Sequence, residues 1–233
     1  MSFTDEQVNE WLREATSLNS SFPFSELEEV PIINSEGLVI PLKSVYQSSP
    51  DKVVMLMFGR NLLWYCIRDW MADIQNIDLE VMHQTHKLVV ILPVPFWSLQ
   101  QYILENKIPA VISEMLNCDP NAASFKALNF NFSFDSRSSF TSIHAKTSVL
   151  GATLAGLVLG LRSGMQGDPR QQGGAFVINP PFASSCETIM DGATASNSWS
   201  CSWAHYDRFN ADQVYIPVLL LAAKLSPHLY KPL

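Results

Sequence analysis

The segment that decides the fold is KVVMLMFGRNLLWYCIRDWMADIQNI, residues 52–77 of a chain of 233 residues. Its first part, residues 52–58, is a nearly continuous apolar run, which predicts a central strand that is covered on both faces. The sequence GRN interrupts this run, and residues 62–77 then carry apolar side chains at helical spacing. A buried strand followed by a turn and an amphipathic helix is the first indication of an α/β protein.

The alternation of strands and helices continues along the chain. Residues 37–42 are predicted to be a short strand or a hairpin arm. The other predicted strands are residues 87–94, 110–115, 175–179 and 199–206, and the predicted helices are residues 97–105, 119–128, 143–161 and 212–225. The last two strands are expected to pair antiparallel. This order of elements predicts an α/β fold with a central mixed sheet flanked by helices.

The same pattern suggests the domain organisation. We expect residues 1–36 to form an N-terminal helical extension and residues 37–233 to form one domain. The stretch 180–198 is rich in Ser, Ala, Thr, Asn and Gly, and it is longer than the roughly 2–5 residues of an ordinary hairpin loop. We therefore predict an inserted loop there, which acts either as an appendage or as a lid.

Composition limits the partners and the cellular setting. The formal charge is −7, from 15 basic and 22 acidic residues, which argues against nucleic acid or an anionic membrane as the main partner. The apolar stretch 149–161 is shorter than the roughly 20 residues of a membrane-spanning helix, so no membrane span is expected. Four dispersed cysteines and an acidic N-terminal start without a signal peptide favour a reducing, cytoplasmic location. The aromatic content would permit a homodimer.

Three segments carry a resemblance to a known family. They are FGRNLLWYCIRDW at residues 58–70, GDPRQQGGAFVI at residues 167–178, and WAHYDR at residues 203–208. Together they resemble the AhpC/TSA-type peroxiredoxin-like proteins, in which an R-x-x-x-C-x-x-C helix start is followed by a G-D-P-x-Q-Q-G-G run and an H-x-D-R pair. The resemblance covers most of the chain and implies a thioredoxin fold.

The chain departs from this family at the reactive cysteine. An ungapped alignment from Arg60 places Trp64 at the position of the first cysteine and Ile67 at that of the second. Cys66 lies two residues after the first position, which on a helix is a rotation of about 200°. Because a peroxidatic cysteine must be a thiolate at the helix N-terminus, we do not expect a peroxidase. Cys66 would replace the nucleophile only if the register shifted, and otherwise it is a small core residue.

The candidate site residues come from these segments. We predict catalytic roles for Arg60, Tyr65, Gln172 and His205, and substrate-binding roles for Asn61, Trp64, Cys66, Asp69, Arg170 and Gln171. Each has a structural alternative: the two glutamines would satisfy strand-edge backbone groups, Arg60 would pair with Asp69 or cap the strand end, and His205 would bond Asp207 without catalysis. His83 and His86 have the spacing of metal ligands, but no further ligand is near them in sequence, so no metal and no other cofactor are expected.

These residues leave three functional hypotheses open. The first is a redox-inactive enzyme that isomerises or cyclises an apolar small molecule without a cofactor, an activity typical of secondary metabolism. The second is a non-catalytic binding protein that kept the fold. The third is a thiol peroxidase or reductase that acts through Cys66.

Overall fold

The structure of the chain is a computed structural model. It describes residues 22–60, 62, 65–132, 168, 170–181, 198–207 and 214–231, together with Glu6, Asn9 and Arg13, but not the side chains of residues 65, 66, 68 and 69. The predicted helix at 143–161 and most of the predicted loop at 180–198 lie outside these residues. The domain boundary at residue 37 also stays a prediction.

The described strands form one seven-stranded sheet in the order β2-β1-β5-β4-β3-β6-β7. They are β1 (Pro31–Ile33), β2 (Val39–Pro41), β3 (Val53–Phe58), β4 (His86–Leu92), β5 (Leu116–Cys118), β6 (Gly174–Asn179) and β7 (Ser200–Tyr206). Strands β3, β4 and β5 are parallel, whereas β6 pairs antiparallel with β3 and β7 antiparallel with β6. The predicted mixed sheet and the predicted antiparallel pair are therefore confirmed.

Helices flank this sheet. The described α-helices are α1 (Phe24–Leu27), α2 (Ser44–Gln47), α3 (Tyr65–Gln75), α4 (Leu79–Met82), α5 (Phe96–Glu105), α6 (Ala110–Ser113), α7 (Ala123–Ala127) and α8 (Ile216–Ala222), and a 3-10 helix follows at Pro227–Leu229. Within this order, β3-α3-β4 is a βαβ unit and β6-β7-α8 is a ββα unit, which together are the arrangement of the thioredoxin fold. In the described residues no helix is long and apolar enough to cross a membrane.

Two apolar layers cover the two faces of the sheet. Met55 and Met57 of β3 pack in one layer with α3, α5 and α8, while the alternate residues Val54, Leu56 and Phe58 pack in the other with α1, α2 and α7. Because successive side chains of a strand point to opposite faces, a run covered on both sides must be apolar throughout. This is why residues 53–58 could be recognised as a central strand from sequence.

One predicted strand is wrong. Residues 110–115 form the short helix α6 and its exit turn, and the strand at this point is β5, which begins one residue later. Pro109 precedes the helix with φ −57°, and its carbonyl oxygen accepts hydrogen bonds from the N–H groups of Ile112 and Ser113. Val111 is exposed, so these residues lack the two-sided burial of a central strand.

The hairpin of β1 and β2 forms one edge of the sheet. Strand β1 lies within residues 1–36, which were predicted to be an N-terminal helical extension. The turn of the hairpin requires Gly37, which has φ +84°, a region that side-chain-bearing residues rarely adopt. The side-chain oxygen of Asn34 accepts hydrogen bonds from the N–H groups of Glu36 and Leu38, which closes the turn. Strand β2 was predicted within residues 37–42, whereas β1 was not, because it is short and begins at Pro31 in a Pro-containing stretch.

Candidate functional site at the ends of three strands

The candidate site lies where the end of β3, the start of β6 and the end of β7 meet. Phe58 pairs with Gly174, and Gly174 pairs with Tyr206. The residues next to these three therefore lie at the same end of their strands. We call this group the strand-end cluster, and its members are Arg60, Gln171, Gln172, Gly173, His205 and Asp207. The sequence analysis predicted site roles for Arg60, Gln171, Gln172 and His205.

Arg60 is a charged residue with no exposed surface. Its Nε–H donates a hydrogen bond of 2.9 Å to the carbonyl oxygen of Gln171. A buried guanidinium is tolerated only when its N–H groups find acceptors, because removing a charge from water is costly. Arg60 therefore joins the end of β3 to the segment that leads into β6, and it fixes the position of that segment.

Gln171 and Gln172 are also buried. The side-chain Nε2–H of Gln171 donates to the carbonyl oxygen of Gln172 over 3.0 Å, and the backbone N–H of Gln172 donates to the carbonyl oxygen of Asn131 over 3.0 Å. Gln171 also forms an isolated antiparallel bridge with Phe132. The amide of Gln171 thus satisfies a backbone group, which was the structural alternative considered for it.

Gly173 is required by the close approach of three backbones. A Cβ atom at this position would lie 2.0 Å from the carbonyl oxygen of Phe58 and 3.3 Å from Oδ2 of Asp207. The carbonyl oxygen of Gly173 accepts a hydrogen bond of 3.0 Å from the N–H of Asp207. This glycine brings the Asp207 carboxylate next to the end of β3.

His205 and Asp207 lie on the same face at the end of β7, as their spacing predicted. Nε2 of His205 is 3.4 Å from Oδ1 of Asp207, and the exposed fractions of the two side chains are 10% and 1%. The imidazole also stacks on Trp203 with the ring planes 14° apart. A carboxylate beside an imidazole orients the ring and stabilises its protonated form, so this pair is able to accept and return a proton.

Arg170 points away from this buried group. Its Nη2 lies 2.7 Å from Oδ2 of Asp168, its Nε lies 3.0 Å from Oδ1, and its guanidinium carbon lies 4.3 Å from the centre of the Phe132 ring. The hydrogen bond from Arg170 holds the pKa of Asp168 below its ordinary value. Both charged groups are substantially exposed, and the bidentate pair orients Arg170 along the surface.

The remaining predicted site residues can be located only along the chain. Asn61 and Trp64 lie outside the described residues, as do the side chains of Tyr65, Cys66 and Asp69. Helix α3 begins at Tyr65, directly after Trp64 in sequence. The first N–H groups of a helix lack intrahelical partners and carry a partial positive charge. The roles predicted for these five residues stay predictions.

A cavity of about 370 Å³ opens beside the strand-end cluster. Its lining is mixed in character and comprises Leu128, Asn129, Asn131, Tyr206 and Asp207. Asn131 and Tyr206 were not predicted as site residues, because Asn131 acts through its carbonyl oxygen and Tyr206 occupies the variable position of the H-x-D-R pair. This cavity adjoins Asp207, a member of the cluster whose side chain is 1% exposed.

The described cysteine side chains lie outside the cluster. Cys118 is fully buried, and burial together with the nearby Asp119 carboxylate raises the pKa of its thiol to about 12. A thiol of this kind is not a nucleophile, because the thiolate is the reactive form. Cys201 is partly exposed, and its Sγ donates to the carbonyl oxygen of Trp203.

One histidine of the pair with metal-ligand spacing, His86, has other partners. His86 bonds the carbonyl oxygen of Ala223 through Nε2 and the hydroxyl of Thr85 through Nδ1, both over 2.8 Å. Both ring nitrogens therefore already have protein partners. In the part of the chain that the structure describes, no three His, Cys, Asp or Glu residues are grouped so that they could hold a metal ion.

Comparison with known proteins gives relatives with a consistent name. The chain is 24% identical over 162 residues to Peroxiredoxin-like 2C of Homo sapiens, covering 65% of this chain and 66% of the relative. The protein of the same name from Mus musculus is also 24% identical, and that from Bos taurus is 22% identical. The predicted resemblance to peroxiredoxin-like proteins is confirmed. The chain spans about two thirds of the length of these curated relatives.

Other comparisons add little. No protein-family model matches the chain. Among solved structures, a PrxQ variant from Xylella fastidiosa is 9% identical with a TM-score of 0.45, covering 88% of this chain and 92% of that chain. The thioredoxin fold is assigned from the strand order β4-β3-β6-β7 and from the helices that connect these strands.

Proposed function

We propose that this chain is a peroxiredoxin-like protein without peroxidase activity that isomerises or cyclises an apolar small molecule at the strand-end cluster, without a cofactor. The observation that supports this proposal is a buried, hydrogen-bonded polar cluster beside a segment that carries Trp64 at the position where the resemblance places the family's first cysteine. In the alignment that the resemblance implies, the three segments of the family are kept, whereas the cysteine at the first position is absent.

The chemistry assigned to the cluster is proton transfer. The imidazole of His205 would take a proton from one carbon of the substrate and return it to another, while the Asp207 carboxylate holds the ring in position. The bond that breaks and the bond that forms are both C–H bonds, so no oxidant or reductant is needed. In a cyclisation, a fixed binding surface would hold the reacting ends together.

The surroundings of the cluster favour an apolar substrate. The imidazole of His205 stacks on Trp203, which packs in the apolar layer on the same face of the sheet as α3. Trp64 would extend this aromatic surface at the start of α3. An apolar site with a few fixed polar groups is the common composition of small-molecule sites.

A test of this proposal follows substrate conversion at constant mass. The purified chain is incubated with a small-molecule extract from its source organism, without added thiol, flavin, nicotinamide or metal, and the products are analysed by liquid chromatography and mass spectrometry. We expect a compound that changes retention time without changing mass. His205→Gln and Trp64→Ala should abolish this conversion, whereas His228→Gln and Trp97→Ala, matched changes at exposed positions, should preserve it.

One structural finding favours a second candidate, a non-catalytic binding protein. Arg60 and Gln171 both donate to backbone carbonyl oxygens within the cluster, so these two side chains serve the fold in the described structure. This candidate predicts that the same extract yields a bound compound that is recovered unchanged. A conversion that survives both site substitutions would contradict the assignment of the cluster as the active site.

A further inference from the structure

A second cavity lies at the opposite end of the strands from the strand-end cluster. It has a volume of about 510 Å³ and lies at the N-terminal ends of β3 and β4. Its polar lining includes Ser44, Ser48, Ser49, Lys52, His83 and Lys87. We call this cavity the lysine groove. Its size is within the range of about 300–1,000 Å³ that is common for small-molecule sites.

The two lysines of the groove are held in place by neutral groups. Nζ of Lys52 donates to the carbonyl oxygen of His83 over 2.6 Å, and Nζ of Lys87 donates to Oγ of Ser48 over 3.0 Å. Among the residues that the structure describes, no carboxylate forms an ion pair with either ammonium group. Each ammonium group has three N–H donors, so both retain donors for a ligand.

The charges in the groove repel one another. Burial lowers the pKa of Lys87, and the positive charge of Lys52 lowers it further. The same charge of Lys52 adds to burial in lowering the pKa of His83, whereas Glu114 on the rim raises it. A bound anion would relieve this repulsion, and one exposed Glu114 carboxylate does not balance two ammonium groups.

Hydroxyl groups complete the lining. Ser44 and Ser48 come from α2 and its end, and Ser49 follows in the next turn. A phosphate has several oxygens that accept hydrogen bonds, and a lining with both hydroxyl and ammonium groups offers several donors to them. A carboxylate has two oxygens and a single charge, and it would use fewer of these donors.

We propose that the lysine groove binds the phosphate group of a small phosphorylated molecule. Lys52 and Lys87 would neutralise the phosphate, and the serine hydroxyls would donate to its remaining oxygens. The site is separate from the strand-end cluster, because the two lie at opposite ends of the strands. Its ligand is therefore a second molecule rather than the apolar substrate proposed above.

The test measures binding of inorganic phosphate to the purified full chain by isothermal titration calorimetry. Sodium chloride and sodium acetate at the same ionic strength serve as reference anions. We expect saturable phosphate binding, with no comparable binding of acetate. Lys52→Met and Lys87→Met should each weaken phosphate binding by at least about tenfold, which is about 1.4 kcal/mol.

Lys126→Met is the matched control. Nζ of Lys126 also donates to a backbone carbonyl oxygen, that of Asn121, but Lys126 does not line the groove. This variant should bind phosphate as the wild type does, and thermal unfolding checks that all three variants are folded. The proposal would be overturned if the wild type bound no phosphate or bound acetate equally well. It would also be overturned if a variant carrying both Lys52→Met and Lys87→Met bound phosphate as the wild type does.

Discussion

At the scale of single residues, the strand-end cluster depends on contacts between residues far apart in sequence. Arg60 meets the carbonyl oxygen of Gln171 across 111 positions of the chain. The sequence indicated both residues because each stands in a recognisable segment next to an apolar run. It did not indicate their contact, because an arginine at a strand end has many acceptors within reach and only the tertiary structure selects one.

Gly173→Ala should be strongly destabilising. The new methyl group would lie 2.0 Å from the carbonyl oxygen of Phe58, and backbone atoms in a central sheet cannot move aside cheaply. We expect a loss in the free energy of unfolding at or above the roughly 1–3 kcal/mol typical of overpacking. Urea denaturation followed by circular dichroism measures this loss.

Gly59→Ala is the control for this prediction. Its methyl group would meet only the ends of the Ile67 and Leu92 side chains, each 2.6 Å away, and these can change rotamer. The loss should be smaller than for Gly173→Ala. A smaller effect at Gly173 than at Gly59 would contradict the close approach of β3 and the segment before β6.

At the scale of elements, the predictable ones were those with a long, unambiguous pattern. Strands β3 and β4 are apolar runs buried on both faces, and α3 places Ile67, Trp70 and Ile74 on one buried stripe. Strand β5 has only three residues, and its central Asn117 is a buried amide that bonds the carbonyl oxygen of Met115. A polar residue in so short a strand resembles a turn, which is why the prediction placed the strand too early.

The start of α7 offers a test at this scale. The buried carboxylate of Asp119 accepts hydrogen bonds from the N–H groups of Ala123 and Ser124 and from the hydroxyl of Ser124. Asp119→Ala leaves these donors without an acceptor, so we expect a loss of about 1–3 kcal/mol in the free energy of unfolding. Thermal or urea unfolding of the purified variant measures it.

Asp78→Ala provides the comparison. Asp78 caps α4 with one longer hydrogen bond of 3.4 Å from the N–H of Val81, and its other oxygen accepts an exposed hydrogen bond of 3.2 Å from Nζ of Lys231. Its removal should cost less than removal of Asp119. Equal losses for the two variants would show that the Asp119 network adds nothing beyond an ordinary surface cap.

At the scale of the whole molecule, Tyr230 near the end of the described residues packs against α3. The hydroxyl of Tyr230 donates to Oδ1 of Asp73 over 2.5 Å, and both side chains are buried. Burial and the Asp73 carboxylate raise the pKa of Tyr230 well above its ordinary value, so it stays a donor. Residues 212–225 were predicted to form a closing helix, but no pattern in the sequence indicates the contact between Tyr230 and Asp73.

Tyr230→Phe removes only the hydroxyl donor. The Asp73 carboxylate then loses a buried hydrogen bond, and we expect the free energy of unfolding to fall by about 1.5–3 kcal/mol. Tyr46→Phe is the control, since the Tyr46 hydroxyl is buried and has no hydrogen-bond partner among the described residues. That change should be neutral or slightly stabilising. A Tyr230→Phe variant as stable as wild type would contradict the proposed contact.

Stability should also fall on mild acidification. Burial lowers the pKa of His86 from its ordinary value near 6.5, so protons bind more readily to the unfolded chain. The stabilising contribution of neutral His86 is complete above this value and is lost as the pH falls below it. We expect His86→Gln to flatten the decline in unfolding free energy between about pH 7.5 and 5.5, measured in phosphate-free buffer. An unchanged slope in this variant would contradict the prediction.

We infer that the chain lacks peroxidase activity because Trp64 stands at the position that the resemblance assigns to the family's reactive cysteine. The most direct measurement is thiol-dependent consumption of hydrogen peroxide by the purified wild type, with Cys66→Ser and Trp64→Cys alongside. We predict no consumption by the wild type or by Cys66→Ser, and a gain of consumption in Trp64→Cys, because a helix start favours the thiolate. Consumption by the wild type that disappears in Cys66→Ser would contradict the claim and identify a thiol peroxidase.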